Sequence, residues 1–186
     1  MSTWLFTALV LATGFERLAE LVVSTRHAAW SFARGGVESG RGHFGPMVVL
    51  HTGLLLACVV EVVVADRPFS AALGWPMLVL VLAAQALRWW CITTLGPQWN
   101  TRVIVVPGLS LVARGPYRLL KHPNYVAVVV EGFALPLVHT AWVTALVFTV
   151  LNAVLLLGFR LPAENRAIAA LPQPSTTLRR PGAAPR

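Results

Sequence analysis

The chain has 186 residues, 56% of them hydrophobic and 12% charged, with a formal net charge of +8. Soluble domains carry about 25% charged residues, so this composition excludes an ordinary water-soluble globule and, at this length, points to one membrane domain. The positive charge does not indicate nucleic acid as a partner, because the basic residues fall between apolar runs, where they orient a chain in a bilayer.

Trp4 to Val23 is the first apolar run and is long enough to span. Nothing in front of it has the form of a cleaved leader, so it reads as a retained span. Glu16, Arg17 and Glu20 lie inside it, within reach of one another on a helix. They either orient the helix at its cytosolic end or contribute to a polar cavity. Ser24 to Gly45 is too polar to cross and reads as a surface loop, or a short interfacial helix near Trp30 and Phe32. Within it Glu38, Arg41 and His43 are either solvated or cover a site.

Pro46 to Ala65 is the second span and carries His51 and Glu61. Leu73 to Thr94 is the third, with Arg88 near its far end, where it snorkels beside Trp89 and Trp90 or lines a cavity. Cys58 and Cys91 sit in apolar segments without metal-type spacing and read as inert packing residues. Leu95 to Lys121 is polar. Its Pro107-Gly108 turn signal predicts a small hairpin between Arg102–Val106 and Ser110–Ala113, lying on the membrane face. Residues 123–139 give a short fourth span, broken at Pro136 and carrying Glu131, whose charge calls for an inward polar contact. Residues 141–159 give the fifth. The two read as a tight helical hairpin. After Arg160 the chain is helical at first, then basic and disordered from Pro172 to Arg186.

The expected architecture is therefore an all-α integral membrane protein. It has one domain over residues 1–171 and five spans, at about 4–23, 46–65, 73–94, 123–139 and 141–159. Arginines crowd the first and third loops and the tail, whereas the second loop has Arg67 alone. Positive residues inside then place the N-terminus outside and the C-terminus in the cytosol. Fourteen arginines against one lysine read as the codon bias of a GC-rich bacterial genome, hence a bacterial cytoplasmic membrane.

The densest chemistry is Arg114 to Tyr125, RGPYRLLKHPNY. Pro123 fits the first position of a helix, where its missing N–H costs nothing. That helix would begin at a basic edge and run into an apolar layer. Its free N–H groups would face the same edge as His122, Tyr117 and Tyr125, a setting suited to an anionic group.

GPYRLLKHPNY, then an apolar hairpin, then FRLPAENRAI, resembles the isoprenylcysteine carboxyl methyltransferase family of small membrane enzymes that use S-adenosylmethionine. The matching residues are Gly115, Tyr117, Lys121, His122, Pro123 and Tyr125, then Arg160 and Glu164, with Asn165 next. The His-Pro-x-Tyr element alone also occurs in membrane sterol reductases that use NADPH. The front half, with Glu16, Arg17, Glu20, Leu21, the Arg34 to Gly42 loop and His51, resembles a bacterial branch. That branch includes enzymes that methylate hydroxyls of long-chain alkylpyrones or alkylresorcinols made by type III polyketide synthases. Asn165, where prenylcysteine enzymes often have a second acid, agrees with it.

The resemblance implies a cytosolic cofactor pocket. His122 and Tyr125 would hold S-adenosylmethionine, its carboxylate would meet the Pro123 helix end or Arg118, and Tyr117 or Tyr125 would lie against the sulfonium. Glu164 would bind the cofactor's amino or ribose groups or orient the acceptor, Arg160 would pair with the acceptor oxyanion, and Glu131 is a further cofactor-side candidate. Arg160 and Glu164 share one helical face if the helix continues past Pro162. The acceptor would be a lipophilic molecule entering sideways from the bilayer, with membrane lipid as surroundings, no metal and no nucleic acid. The hydroxyl of an alkylpyrone or alkylresorcinol comes first, and the carboxylate of an isoprenylcysteine second.

Overall fold

The computed structural model describes residues 1–170, so the basic stretch from Pro172 to Arg186 lies outside the described residues. Helix α1 (Thr3–Phe32) starts where Ser2 Oγ accepts the Leu5 amide at 3.3 Å, which satisfies a first-turn donor. Its 30 residues correspond to about 45 Å. It passes unbroken through Ser24 to Phe32, a stretch expected as a loop. The cause is a buried face that keeps helical spacing to the end, through Glu20, Ser24, Ala28 and Ser31. Tertiary bonds fasten that extension. Ser24 Oγ lies 2.7 Å from Thr101 Oγ1 and accepts the Thr101 amide at 3.0 Å, and His27 Nδ1 lies 2.9 Å from the Trp99 carbonyl oxygen.

Strand β1 (Val37–Ser39) follows and pairs antiparallel with β2 (Val103–Val105), Glu38 lying opposite Ile104. This corrects the hairpin expected around Pro107-Gly108. Gly108 does turn the chain, at φ +80, but residues 110–113 form no strand. Pro107 has no N–H for a local ladder. Glu38 also draws β1 to the segment, pairing with Arg41 at 3.3 Å and Arg102 at 3.8 Å.

The bundle continues with α2 (Phe44–Val64), α3 (Ala71–Leu95), α4 (Pro123–Leu137), α5 (Trp142–Leu155), a π-helical turn Leu156–Arg160, and α6 (Leu161–Ala169). Arg41–Val64, Ala71–Gln98 and Trp142–Ala169 are long and apolar enough to cross a membrane, and with the mostly helical fold they make this a multi-pass membrane protein. Helix α4 is apolar but only 15 residues long, and α1 carries four charged residues, Glu16, Arg17, Glu20 and Arg26. Pro136 sits in the last turn of α4 and does not break it. Pro162 falls in the first turn of α6, so the chain stays helical from α5 onward. The π turn absorbs the change of register.

The packed core lies at the end of the bundle that holds Ser70 and Thr140. Phe6, Cys58, Val81, Leu135 and Val138 are fully buried there. Both cysteines are free and buried. Glu61 of α2 caps α5 from outside, accepting the amides of Val143 at 3.2 Å and Thr144 at 2.7 Å while pairing with Arg67 at 3.0 Å. Midway along the bundle, Arg17 and Arg88 converge on Glu131 at 2.7 and 2.9 Å, and Glu20 closes the cluster at 2.6 Å from Arg17 and 3.4 Å from Arg88. Four charges that apolar surroundings would penalise singly thus neutralise one another and tie α1, α3 and α4 together.

Candidate active site

The end opposite the core is hollow. Pro123 opens α4 immediately after His122, and the His122 and Tyr125 rings stack with centroids 5.5 Å apart. The α4–α5 hairpin returns the chain to the same end, where the π turn delivers Arg160 and the first turn of α6 delivers Glu164. These groups touch directly. The Tyr125 hydroxyl donates to Glu164, Arg160 Nε donates to the Tyr125 oxygen at 3.0 Å, and His122 Nδ1 lies 3.4 Å from Glu164 Oε1. The remaining Arg160 nitrogens reach the Thr101 carbonyl and Met47 Sδ, the latter at 3.5 Å. All three acceptors are neutral. Among the described residues no carboxylate pairs with Arg160, so its charge is held in place without being cancelled.

Two cavities meet here. The first, about 340 Å³, is bounded by β2 with its flanks and by Tyr117, Lys121, His122, Tyr125, Arg160 and Glu164. Four buried polar atoms on its rim have no hydrogen-bond partner among the described residues: Trp99 Nε1, Asn100 Nδ2, His122 Nε2 and Asn124 Oδ1. Buried polar groups are normally satisfied, so these four atoms are free to bond a polar group placed in the cavity. The Tyr117 phenol sits against the Cys91 thiol, and burial pushes its ionisation well above the usual tyrosine range. It is therefore neutral across the physiological range. The second cavity, about 400 Å³, is walled mainly by apolar side chains of α1, α2 and α5 such as Leu11, Phe15, Met47 and Leu55. Trp99, Asn124, Tyr125 and Arg160 line both cavities.

Residues 77–170, which contain the whole Tyr125–Arg160–Glu164 constellation, match the isoprenylcysteine carboxyl methyltransferase (ICMT) family. The chain belongs to that family. It is also 36% identical over 166 residues, 89% of this chain and 95% of the relative, to the "Uncharacterized protein YpbQ" of Bacillus subtilis (strain 168). No solved structure matches the chain significantly.

Of the residues that the sequence singles out in this ICMT-family chain, Tyr117, His122, Tyr125, Arg160 and Glu164 line the first cavity. Pro123 is buried and sets the helix start rather than lining the space. Arg118 is exposed and borders neither cavity. Glu131 also borders neither, being enclosed by Arg17 and Arg88. Arg17, Glu20, His51 and Arg88, open at the sequence level between orienting helices and lining a cavity, line the second one. Sequence reasoning passed over Trp99, Asn100 and Asn124, although the Trp-Asn pair opening the polar segment is a visible signal. It also passed over Asn152, a lone amide in the apolar run of α5, buried to 6% exposure.

Proposed function

We propose that this protein is an S-adenosylmethionine-dependent membrane O-methyltransferase for a lipophilic acceptor. The supporting observation is the shared wall, where Tyr125 and Arg160 face a chamber with unpaired polar atoms on one side and an apolar chamber on the other. We assign the methyl donor to the first and the acceptor to the second. In this reading the chain crosses the membrane five times with its C-terminus and donor cavity in the cytosol, and a long alkyl chain stays in the apolar layer while its head reaches Arg160.

S-adenosylmethionine supplies a methyl group on a cationic sulfonium. The donor set fits such a molecule. Glu164 offers a carboxylate to an amino group, the orphaned atoms of Trp99, Asn100, Asn124 and His122 offer donors and acceptors to polar edges, and the Tyr117 and Tyr125 rings offer π faces to a cation. The Tyr125 hydroxyl fixes Glu164 on one side and receives Arg160 on the other, so the two halves of the site move as one unit. Arg160, lacking a carboxylate of its own, attracts the acceptor oxyanion and aligns it with the cavity behind Tyr125, an effect of positioning. A dry apolar surround favours the loss of charge as oxyanion and cation combine.

The first acceptor class is the hydroxyl of a long-chain alkylpyrone or alkylresorcinol, with a type III polyketide synthase as the enzyme that would supply it. The second is an isoprenylcysteine carboxylate, favoured by the family match. A carboxylate or an acidic hydroxypyrone is already ionised at neutral pH. A resorcinol, near the tyrosine value of about 10, needs His122 or Glu164 as a base. Titrating the purified protein with S-adenosylmethionine and NADPH, then offering each acceptor with labelled methyl donor, tests this reading. Binding of the methyl donor and label in an alkylpyrone or alkylresorcinol is the expected result. Label in prenylcysteine alone moves the acceptor to the second class, and binding of NADPH in its place replaces the reading with a reductase.

A further inference from the structure

A methyl donor in the first cavity brings the two charges of an amino acid, an ammonium and a carboxylate. Glu164 answers the ammonium. The groups that the sequence singles out for the carboxylate are not placed to answer it. Arg118 is exposed and borders neither cavity. At the head of α4, Pro123 has no N–H, and the amides of Tyr125 and Val126 already donate to the His122 carbonyl at 3.1 and 3.4 Å.

Among the described residues the arginines and lysines that line this cavity are Arg102, Lys121 and Arg160. Arg160 stands on the wall shared with the apolar chamber, bonded to Tyr125 and Thr101. Lys121 is exposed, and ordering its long flexible stem costs entropy. Arg102 is held in place. It immediately precedes β2, and its guanidinium lies over the Phe44 ring, 5.2 Å from the centroid. Its one ion pair among the described residues is Glu38 Oε2 at 3.8 Å, an oxygen that Arg41 already holds at 3.3 Å. That separation is too long for a hydrogen bond. Arg102 thus keeps a planar fork of N–H donors beside the cavity, the geometry that binds a carboxylate through two parallel bonds. Helix α6 packs against β1 and β2, so the helix that carries Glu164 and the strand that follows Arg102 are neighbours. A carboxylate on one and a guanidinium beside the other form the charge complement of an amino-acid zwitterion.

We infer that Arg102 binds the carboxylate of the methyl donor while Glu164 binds its ammonium. This rests on the donor assignment above and adds the residue that tells a donor with a carboxylate from one without. The test uses S-adenosylmethionine and its decarboxylated form, which keeps the nucleoside, the sulfonium and the ammonium. Each is titrated by calorimetry into the full-length protein in nanodiscs.

The wild type binds S-adenosylmethionine about tenfold more tightly than the decarboxylated form, a modest value for a charged hydrogen bond because Arg102 is partly solvated. Arg102→Ala binds the two alike, and its affinity for the decarboxylated form does not fall. If that variant does not fold, Arg102→Gln keeps part of the stem, removes the charge and shows the same loss of preference. A wild type without preference overturns the inference. So does a preference that survives in the Arg102 variants, or one that disappears in Lys121→Ala in their place. Equal loss of affinity for both ligands makes Arg102 structural and overturns it too. The two readings fail separately. S-adenosylmethionine binding that ignores Arg102 leaves the methyltransferase reading standing, whereas NADPH bound in place of both methyl donors removes that reading.

Discussion

At the end of the bundle around Ser70 and Thr140, side chains fill the interior. Gly74 and Gly132 stand where an added Cβ would run into Phe69 and Phe148, and Glu61 supplies α5 with the caps that its own N-terminus lacks. At the end around Arg160, two cavities remain open and buried polar atoms on their walls go unanswered. The same apolar helices run through both ends. What differs is whether side chains fill the space between the helices or leave it open, since the packed end too has a buried group unpaired among the described residues, the His139 ring held between Phe6 and Phe69. Substitutions at the packed end should therefore lower stability and leave the chemistry of the folded fraction alone, and substitutions at the hollow end should do the reverse.

The largest effect belongs to Arg160→Ala. Removing the uncancelled charge from the shared wall should lower methyl transfer about a thousandfold, near 4 kcal/mol, the size of a lost oxyanion-stabilising group. The melting temperature should barely move, since its partners are all neutral. A thermal shift larger than the activity loss would erase the contrast between the two ends. Arg160→Lys should recover only part of the rate, because an ammonium cannot bond Tyr125, Thr101 and an acceptor in one plane.

Next comes Glu131→Ala, in the ion cluster between the ends. It leaves Arg17 and Arg88 facing each other across Glu20, and breaking a buried pair in this way costs about 3 kcal/mol. The loss should show as a lower melting temperature in detergent, with donor affinity of the surviving protein unchanged. An altered donor affinity would instead place Glu131 with the cofactor. At the packed end, Glu61→Ala should cost about 2 kcal/mol, leaving the Val143 and Thr144 amides and Arg67 without their partner. Turnover per folded molecule should stay the same. Tyr125→Phe removes only the hydroxyl that joins Arg160 to Glu164. A tenfold weakening of donor binding, measured by calorimetry, is the expected size.

The hollow end was the more legible of the two in the sequence. His122, Tyr125, Arg160 and Glu164 are charged or polar side chains at the edges of apolar runs, and the short connection at residues 138–141 obliges the two helix ends that carry them to lie side by side. The long-range features were not legible. Arg17 finds Glu131 across 114 positions, and no local pattern tells a buried ion pair from two charges that orient separate helices. Strands of three residues carry too little alternation to choose between a neighbour and a partner far away, so β2 was assigned to the wrong one. Helix α1 runs on past Val23 because Ser24 and His27 are fastened to Thr101 and Trp99, contacts that polarity alone hides. Asn152 is a lone amide in a hydrophobic run, and nothing in the local pattern tells that it lies buried on the wall of the apolar cavity.

The smallest expected effect is the one on which sequence and structure part most clearly. Arg118 stands inside the RGPYRLLKHPNY motif, four residues before His122, and its charge and position make it a natural partner for a donor carboxylate. The structure places it in the 3₁₀ turn Gly115–Arg118 with its side chain exposed, while Tyr117, one residue earlier, turns into the cavity. Neighbours in so tight a turn point in different directions, so both cannot serve the same chamber. A solvated cation outside the cavity is screened within about 10 Å at 0.1 M salt and contributes to the field at the membrane surface rather than to a bond. Arg118→Ala should therefore change donor affinity less than twofold, and what change there is should vanish as salt is raised. A tenfold loss that persists in high salt would mean that Arg118 swings inward when the donor binds, and the hollow end would then be a site that closes around its occupant rather than one that waits preformed.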